Sequence, residues 1–147
     1  MDEDIKAISR RFYEEIMPAC DEAAVRAVVD PNVTSRPARP GERPGVEGVI
    51  DTMRWLATVF ADQRWEVHTV LAEGDTVCVH ATHHGRHVGT LMGIEPTGRT
   101  FAYQYAHFLR YRDGKAVEHW SVRDDMTLMR QLGVIPSVGP SPAVAAG

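Results

Sequence analysis

Cysteine is nearly absent. Cys20 and Cys78 are the only two, too few for a disulfide framework or a four-thiolate metal site, so a reducing cytoplasm is the expected compartment. Positive charge is also short: 16 Lys and Arg face 20 Asp and Glu, leaving a net charge of -4 and a pI near 5.9. Nothing here draws in a phosphate backbone, and nucleic acid is not an expected partner. Only Lys6 and Lys115 are lysines, an arginine bias that reads as genome composition. No apolar run approaches the ~20 residues that span a bilayer, and the acidic start Met1-Asp2-Glu3-Asp4 lacks the basic and apolar regions of a signal peptide.

Several chemical signatures are missing too. Gly89 to Gly98 holds three glycines without the Lys-Ser/Thr ending of a phosphate loop, and there is no Gly-x-Ser-x-Gly elbow, Cys-His nucleophile pattern or dinucleotide fingerprint. No organic cofactor is expected. His80, His83, His84 and His87 invite a metal, but on a strand His80 and His84 point one way and His83 the other, so no three converge. They read instead as partly exposed rings at a strand end, and no metal is expected.

What is present is an ordinary folded composition, 147 residues with 44% apolar and 24% charged, enough for one domain. Ile5, Ile8, Phe12 and Ile16 mark an amphipathic helix that Pro18 is expected to end. Asp21 caps a short helix to Asp30, and a strand follows at Asn32 to Ser35. Three prolines make Arg36 to Gly45 a loop. A third helix spans about Val46 to Ala61. From Trp65 to Arg123 the period is two, interrupted by Gly74-Asp75, Thr97-Gly98 and Asp113-Gly114, which predicts four antiparallel strands. A last helix runs from Asp125 to Leu132 with Gly133 beyond it, and the tail 134–147 is expected to be mobile. Helices first and strands afterwards predict an α+β domain over 1–133, with helices covering one face of a curved antiparallel sheet around a single pocket.

Two strands could line that pocket. One face of Arg99 to Tyr111 carries Phe101, Tyr103, Tyr105, His107, Leu109 and Tyr111. This is the pattern of a core face, and equally that of a wall for a planar aromatic ligand with Tyr hydroxyls and His107 as polar handles. On the next strand Ala116, Glu118, Trp120, Val122 and Asp124 share a side. A carboxyl beside Trp120 and Val122 would lose hydration, and its pKa would rise into the range useful for proton transfer. The alternative is that Asp124 or Asp125 caps the last helix. Register with Trp120 assigns Asp124 to the pocket and Asp125 to the cap.

The order of these pieces resembles the SnoaL-like polyketide cyclases of the nuclear-transport-factor-two-like superfamily. Its parts are Arg11-Phe12-Tyr13, Pro44-Gly45-Val46-Glu47-Gly48, Leu71 to Val77, the loop Gly89 to Gly98, Asp113-Gly114-Lys115 before Glu118-His119-Trp120, and Asp124 to Gly133. The resemblance implies a cone-shaped α+β barrel, a homodimer, and a pocket for an aromatic polyketide ester. It also implies an acid-base Asp four positions after the Trp, here Asp124, and a histidine on the preceding strand, here His107. Trp120, Tyr105, Tyr103, Ser35, Arg36 and Phe12 are the expected substrate contacts. Cyclases carry Asn where this chain has Ser35-Arg36, and Gln where it has Tyr105. The expected reaction is an intramolecular aldol closure. Cofactor-independent hydroxylation of an anthracycline ring, with a separate reductase as partner, and simple ligand binding are the alternatives.

Overall fold

The structure is a computed structural model that describes residues 2–136. Helix α1 (Asp2–Arg11) does not stop at Pro18. It widens into a π-helical turn (Phe12–Ile16) and runs on as α2 (Met17–Ala19), where Pro18 occupies the first turn and its missing N–H leaves no gap. The helical run ends at Cys20, whose φ of 53° is left-handed. The Asp21 carboxylate accepts the Ala24 N–H at 3.1 Å and so caps α3 (Glu22–Val28), two residues shorter than expected.

Strand β1 (Val29–Arg36) is longer than the predicted strand at both ends. Helix α4 (Gly45–Val59) starts at a glycine with φ +69°, where an added Cβ would lie 2.2 Å from the Pro31 carbonyl oxygen. Strand β2 (Phe60–Glu73) follows α4 without a linker, five residues before the expected start at Trp65. Strands β3 (Thr76–His87), β4 (Thr100–Arg112) and β5 (Lys115–Arg123) complete the expected antiparallel run. Helix α5 (Asp125–Gln131) ends in a Schellman motif, with Gly133 at φ +79° and the Val134 N–H donating to the Met129 carbonyl at 3.1 Å. Of the predicted tail, residues 137–147 lie outside the described residues.

The sheet order is β1-β5-β4-β3-β2, with β1 parallel to β5 and every other pair antiparallel. Bulges in β2, one at Asp62 with φ 56° and one between Val67 and Thr69, bend the sheet around the helices. The expected α+β architecture is thus present, but the sheet does not close into a barrel. Strands β1 and β2 are its edges, and α4 packs against both.

Alternation along β3 and β4 sends Val77, Val79, Ala81, His83 and His87, and Phe101 through Tyr111, onto the buried concave face. Two apolar clusters form there. One gathers Ile5, Phe12, Tyr13, Val25, Ile50 and Val79 under the N-terminal helices; the other gathers Phe60, Leu91, Phe101, Tyr103, Tyr105 and Leu132 near α5. Buried Ser9 fixes α1 to the sheet: its hydroxyl lies 2.7 Å from the Ile5 carbonyl oxygen and 2.7 Å from the Tyr111 hydroxyl.

Candidate active site

The side of β5 that faces inward is set by one residue. Asp113-Gly114 makes a two-residue hairpin turn with both φ values positive (52° and 76°), pairing Arg112 with Lys115 and Tyr111 with Ala116. A bulge at Val117 then shifts the register, so that Leu109 faces His119, His107 faces Ser121 and Tyr105 faces Arg123. Side-chain direction inverts past such a bulge. The concave face of β5 is therefore His119, Ser121 and Arg123, the side that the sequence reading turned outward.

Between the apolar clusters runs a seam of imidazoles and phenols. His107 Nδ1 lies 3.1 Å from His119 Nε2. The His107 ring is stacked between Tyr13 (centroids 4.1 Å) and Tyr105 (4.6 Å), and its buried Nε2 has no hydrogen-bond partner. The Tyr103 hydroxyl donates to that of Tyr105 at 3.0 Å and lies 3.2 Å from His83 Nδ1, while His83 Nε2 is 2.9 Å from Gln63 Oε1. His83 is stacked on Trp65, centroids 4.2 Å apart. At the end of the seam the Arg123 guanidinium sits 6.0 Å from the Tyr105 ring. Ser35 pairs with His119 through the β1–β5 ladder, and Ser35, His119 and Ser121 are half-buried where His107 is buried.

This environment favours neutral rings. Burial, with Arg123 nearby, pushes the His119 imidazole down to about 4. Burial and His84 push His83 down to about 3, and burial with His119, His83 and Arg123 holds His107 well below the usual histidine range. Burial raises the Tyr103 and Tyr105 hydroxyls. Burial opposes the Arg123 charge, but Tyr105, Asp125 and Tyr103 hold the guanidinium above its ordinary value.

Asp124 is not part of this wall. Its carboxylate is the cap of α5, accepting the Thr127 N–H at 3.1 Å and the Thr127 hydroxyl at 2.6 Å, and these bonds lower its pKa. The cap was expected at Asp125 and the raised pKa at Asp124; both assignments are corrected. Trp120 faces outward as well, stacked on Phe108 with centroids 5.4 Å apart and only 3° between planes. Arg36 lies over the outer face of that indole at 5.3 Å and reaches Glu118 at 3.9 Å. Trp120 and Arg36 therefore do not meet the concave face, because the bulge turns their side of β5 away. Phe12 is a core residue, edge-on to Tyr13 at 5.1 Å.

The four-histidine segment divides as its alternation predicts. His80 bonds Gln104 and His84 bonds Glu66 on the outer face, whereas His83 and His87 are fully buried rather than partly exposed. Sequence reasoning gave no site role to His83, His119, Ser121, Arg123 or Tyr13. The signal for His119 was its spacing from His107, usable only once the bulge is known. A separate depression of about 530 Å³ is bordered by His84, Arg86, Ala102 and Gln131. His84, Arg86, Thr100 and Ala102 line it from the outward side of β3 and β4, Gly85 and Phe101 from the seam's side, Asp62 from the β2 bulge and Gln131 from α5.

A model of SnoaL-like polyketide cyclases matches residues 7–132, most of the chain. The chain belongs to the SnoaL-like polyketide cyclase family. A curated family relative is the nogalonic acid methyl ester cyclase of Streptomyces nogalater, 32% identical over 94 residues, or 63% of this chain and 70% of that protein. Among solved structures, AclR from Streptomyces galilaeus, a hydroxylase candidate, superposes with a TM-score of 0.81 at 26% identity, covering 100% of this chain and 95% of that one. TsrD from Streptomyces laurentii shares the fold at a TM-score of 0.84 and 24% identity, over 92% and 98% of the two chains.

Proposed function

We propose that this protein tailors aromatic polyketides of the anthracycline type, closing a ring of a polyketide ester by an acid-base catalysed intramolecular aldol reaction. The observation that carries the reading is the concave wall itself. Phe101, Tyr103, Tyr105 and His107 form a flat, buried apolar face interrupted by hydroxyl and imidazole groups, the composition that suits a planar polyphenol. Family membership and likeness to the curated nogalonic and aklanonic acid methyl ester cyclases point the same way.

In the reaction a base removes a proton from the methylene flanked by two carbonyls, and the enolate carbon attacks a ketone of the same molecule. One C–C bond forms, and the alkoxide recovers the proton, so substrate and product are isomers. The flanked methylene is already acidic, so the protein supplies chiefly orientation and hydrogen bonds to the developing oxyanion. Tyr105, Tyr103, Ser35 and Arg123 are suited to that role. Two copies pair through the outer face of the sheet, where Leu71 and Val122, 62% and 65% exposed, flank Phe108 and Trp120.

Likeness to AclR supports a second reading, oxygen insertion into the same ring class. Incubation with an anthraquinone β-keto ester separates the two by mass. A ring-closed isomer of unchanged mass is expected; a product heavier by one oxygen means hydroxylation, and unchanged ester in saturable complex with the protein means a binding module.

A further inference from the structure

We propose that His68 and His80 form a two-imidazole binding site for a divalent transition ion of the zinc class, on the outer face of the sheet and separate from the seam. Three observations carry the assignment. The first is how the chain brings the two rings together. Val67 pairs with Ala81 and Thr69 with His80, so His68 is the extra residue of the second β2 bulge and shares its neighbour on β3 with Thr69. Its ring lies beside that of His80, with centroids 5.0 Å apart and planes inclined at 47°. The four-histidine segment alone offers no such pair, because His80 and His84 stand apart on one strand and bond different neighbours.

Second, the spacing is that of two ligands on one ion. Zinc takes imidazole nitrogen at about 2.0–2.1 Å in tetrahedral geometry, which sets the centres of two coordinated rings about 5 Å apart. The binding nitrogens are the Nε2 atoms. His68 Nε2 is 2.7 Å from the Thr82 hydroxyl and His80 Nε2 is 2.7 Å from Gln104 Oε1. Thr82 and Gln104 are cross-strand partners in the β3–β4 ladder, so the two Nε2 atoms are aimed at adjacent points. An ion there displaces two hydrogen bonds between neutral groups. It requires only that each ring carry its proton on Nδ1, leaving the Nε2 lone pair to the metal.

Third, the position is open and its surroundings suit a cation. His68 is exposed and His80 half-buried, and the partners of both rings are uncharged. Glu66 stands two residues before His68 on the same side, and its bond to His84 holds its carboxyl below the usual range, so an anion lies beside the site at neutral pH. Imidazole ligands favour Zn2+, Ni2+ and Cu2+, whereas Mg2+ and Ca2+ take oxygen. Two protein ligands leave the other positions of the tetrahedron to water. The seam lies on the opposite face of the sheet, so the ion takes no part in ring closure. Its effect is to tie β2, an edge strand, to β3.

The test is a titration of Zn2+ into the full chain near neutral pH, with the histidine side-chain resonances followed by NMR and Mg2+ as the control. The His68 and His80 signals are expected to move together and to saturate at one ion per chain, while Mg2+ moves neither. His68→Gln and His80→Gln should each weaken binding at least about 10-fold, and His84→Gln should bind as the parent does. Bound Zn2+ should also raise the urea midpoint of the parent chain and not that of either variant. Unchanged affinity in His68→Gln or His80→Gln, an equal loss in His84→Gln, or shifts spread over all the histidines without saturation would each overturn the site. So would the absence of any shift with Zn2+. Both substitutions fall on the solvent-facing side of the sheet, outside the apolar clusters, so the variants keep the fold and the comparison stands.

Discussion

His107 Nδ1 and His119 Nε2 stand 3.1 Å apart across adjacent strands, in a part of the sheet whose concave face carries no acid. Two histidines in contact without a counter-ion stay neutral only if the fold excludes protons from them, and burial does so here.

Acid should therefore unfold the protein early. The rings of His83, His107 and His119 all titrate below 6.5 when folded, two of them at about 3 and about 4. Above pH ~6.5 neither folded nor unfolded chain protonates them, so their contribution is constant. Below it the unfolded chain binds protons that the folded chain refuses, costing about 2 kcal/mol for each of His83 and His119 at pH 5. Urea denaturation at pH 7.5 and pH 5 should show the midpoint falling steeply, before carboxylate protonation contributes. A midpoint unchanged at pH 5 would mean that these rings are not held neutral.

Ser121 faces His107 through the β4–β5 register. Ser121→Asp places an anion beside the pair and should raise its titration by about 1–3 units. Histidine side-chain NMR resolves this directly. No movement of either ring would mean that position 121 does not face the pair.

Asp124→Ala removes the α5 cap, since Thr127 then loses both acceptors. The melting temperature should drop by roughly 2–5 °C with turnover per folded molecule preserved. A large loss of turnover at wild-type stability would return Asp124 to the chemistry.

Val122→Asp sets a charge on the outer apolar face without reaching the seam. Analytical ultracentrifugation is expected to report a dimer for the parent chain and a monomer for the variant, with the urea midpoint little changed. Equal sedimentation of both chains would place the contact elsewhere.

Much of the fold was readable because each element is specified locally. The Ile5-Ile8-Phe12-Ile16 stripe, the Asp21 cap and the three turn pairs each determine a few neighbouring residues, and these appear where expected. Boundaries moved where tertiary packing overrides a local stop signal, as at Pro18, or where a strand continues directly from a helix, as at Phe60. The site was half readable. Tyr103, Tyr105 and His107 alternate along an unbroken ladder against β3. Past Val117 the same reasoning failed, because a bulge leaves no mark in a run such as Ala116-Val117-Glu118. Counting inward from the Asp113-Gly114 turn then selects Trp120 and Asp124 in place of His119 and Ser121.

The parallel pairing of β1 with β5 also sets an order of events. Strands β2 and β3, and β4 and β5, meet through two-residue turns, and β3 and β4 through the longer loop 88–99, so these strands can pair as the chain emerges, but Val29 has no partner until Ala116 has been made. Ser35 reaches His119 only at that last step. Loop closure of this span is slow compared with hairpin formation, so the concave face should be complete only at the end of folding. Until then the aromatic rows of β3 and β4 stay partly uncovered, and in that interval the chain is most exposed to association with others like it.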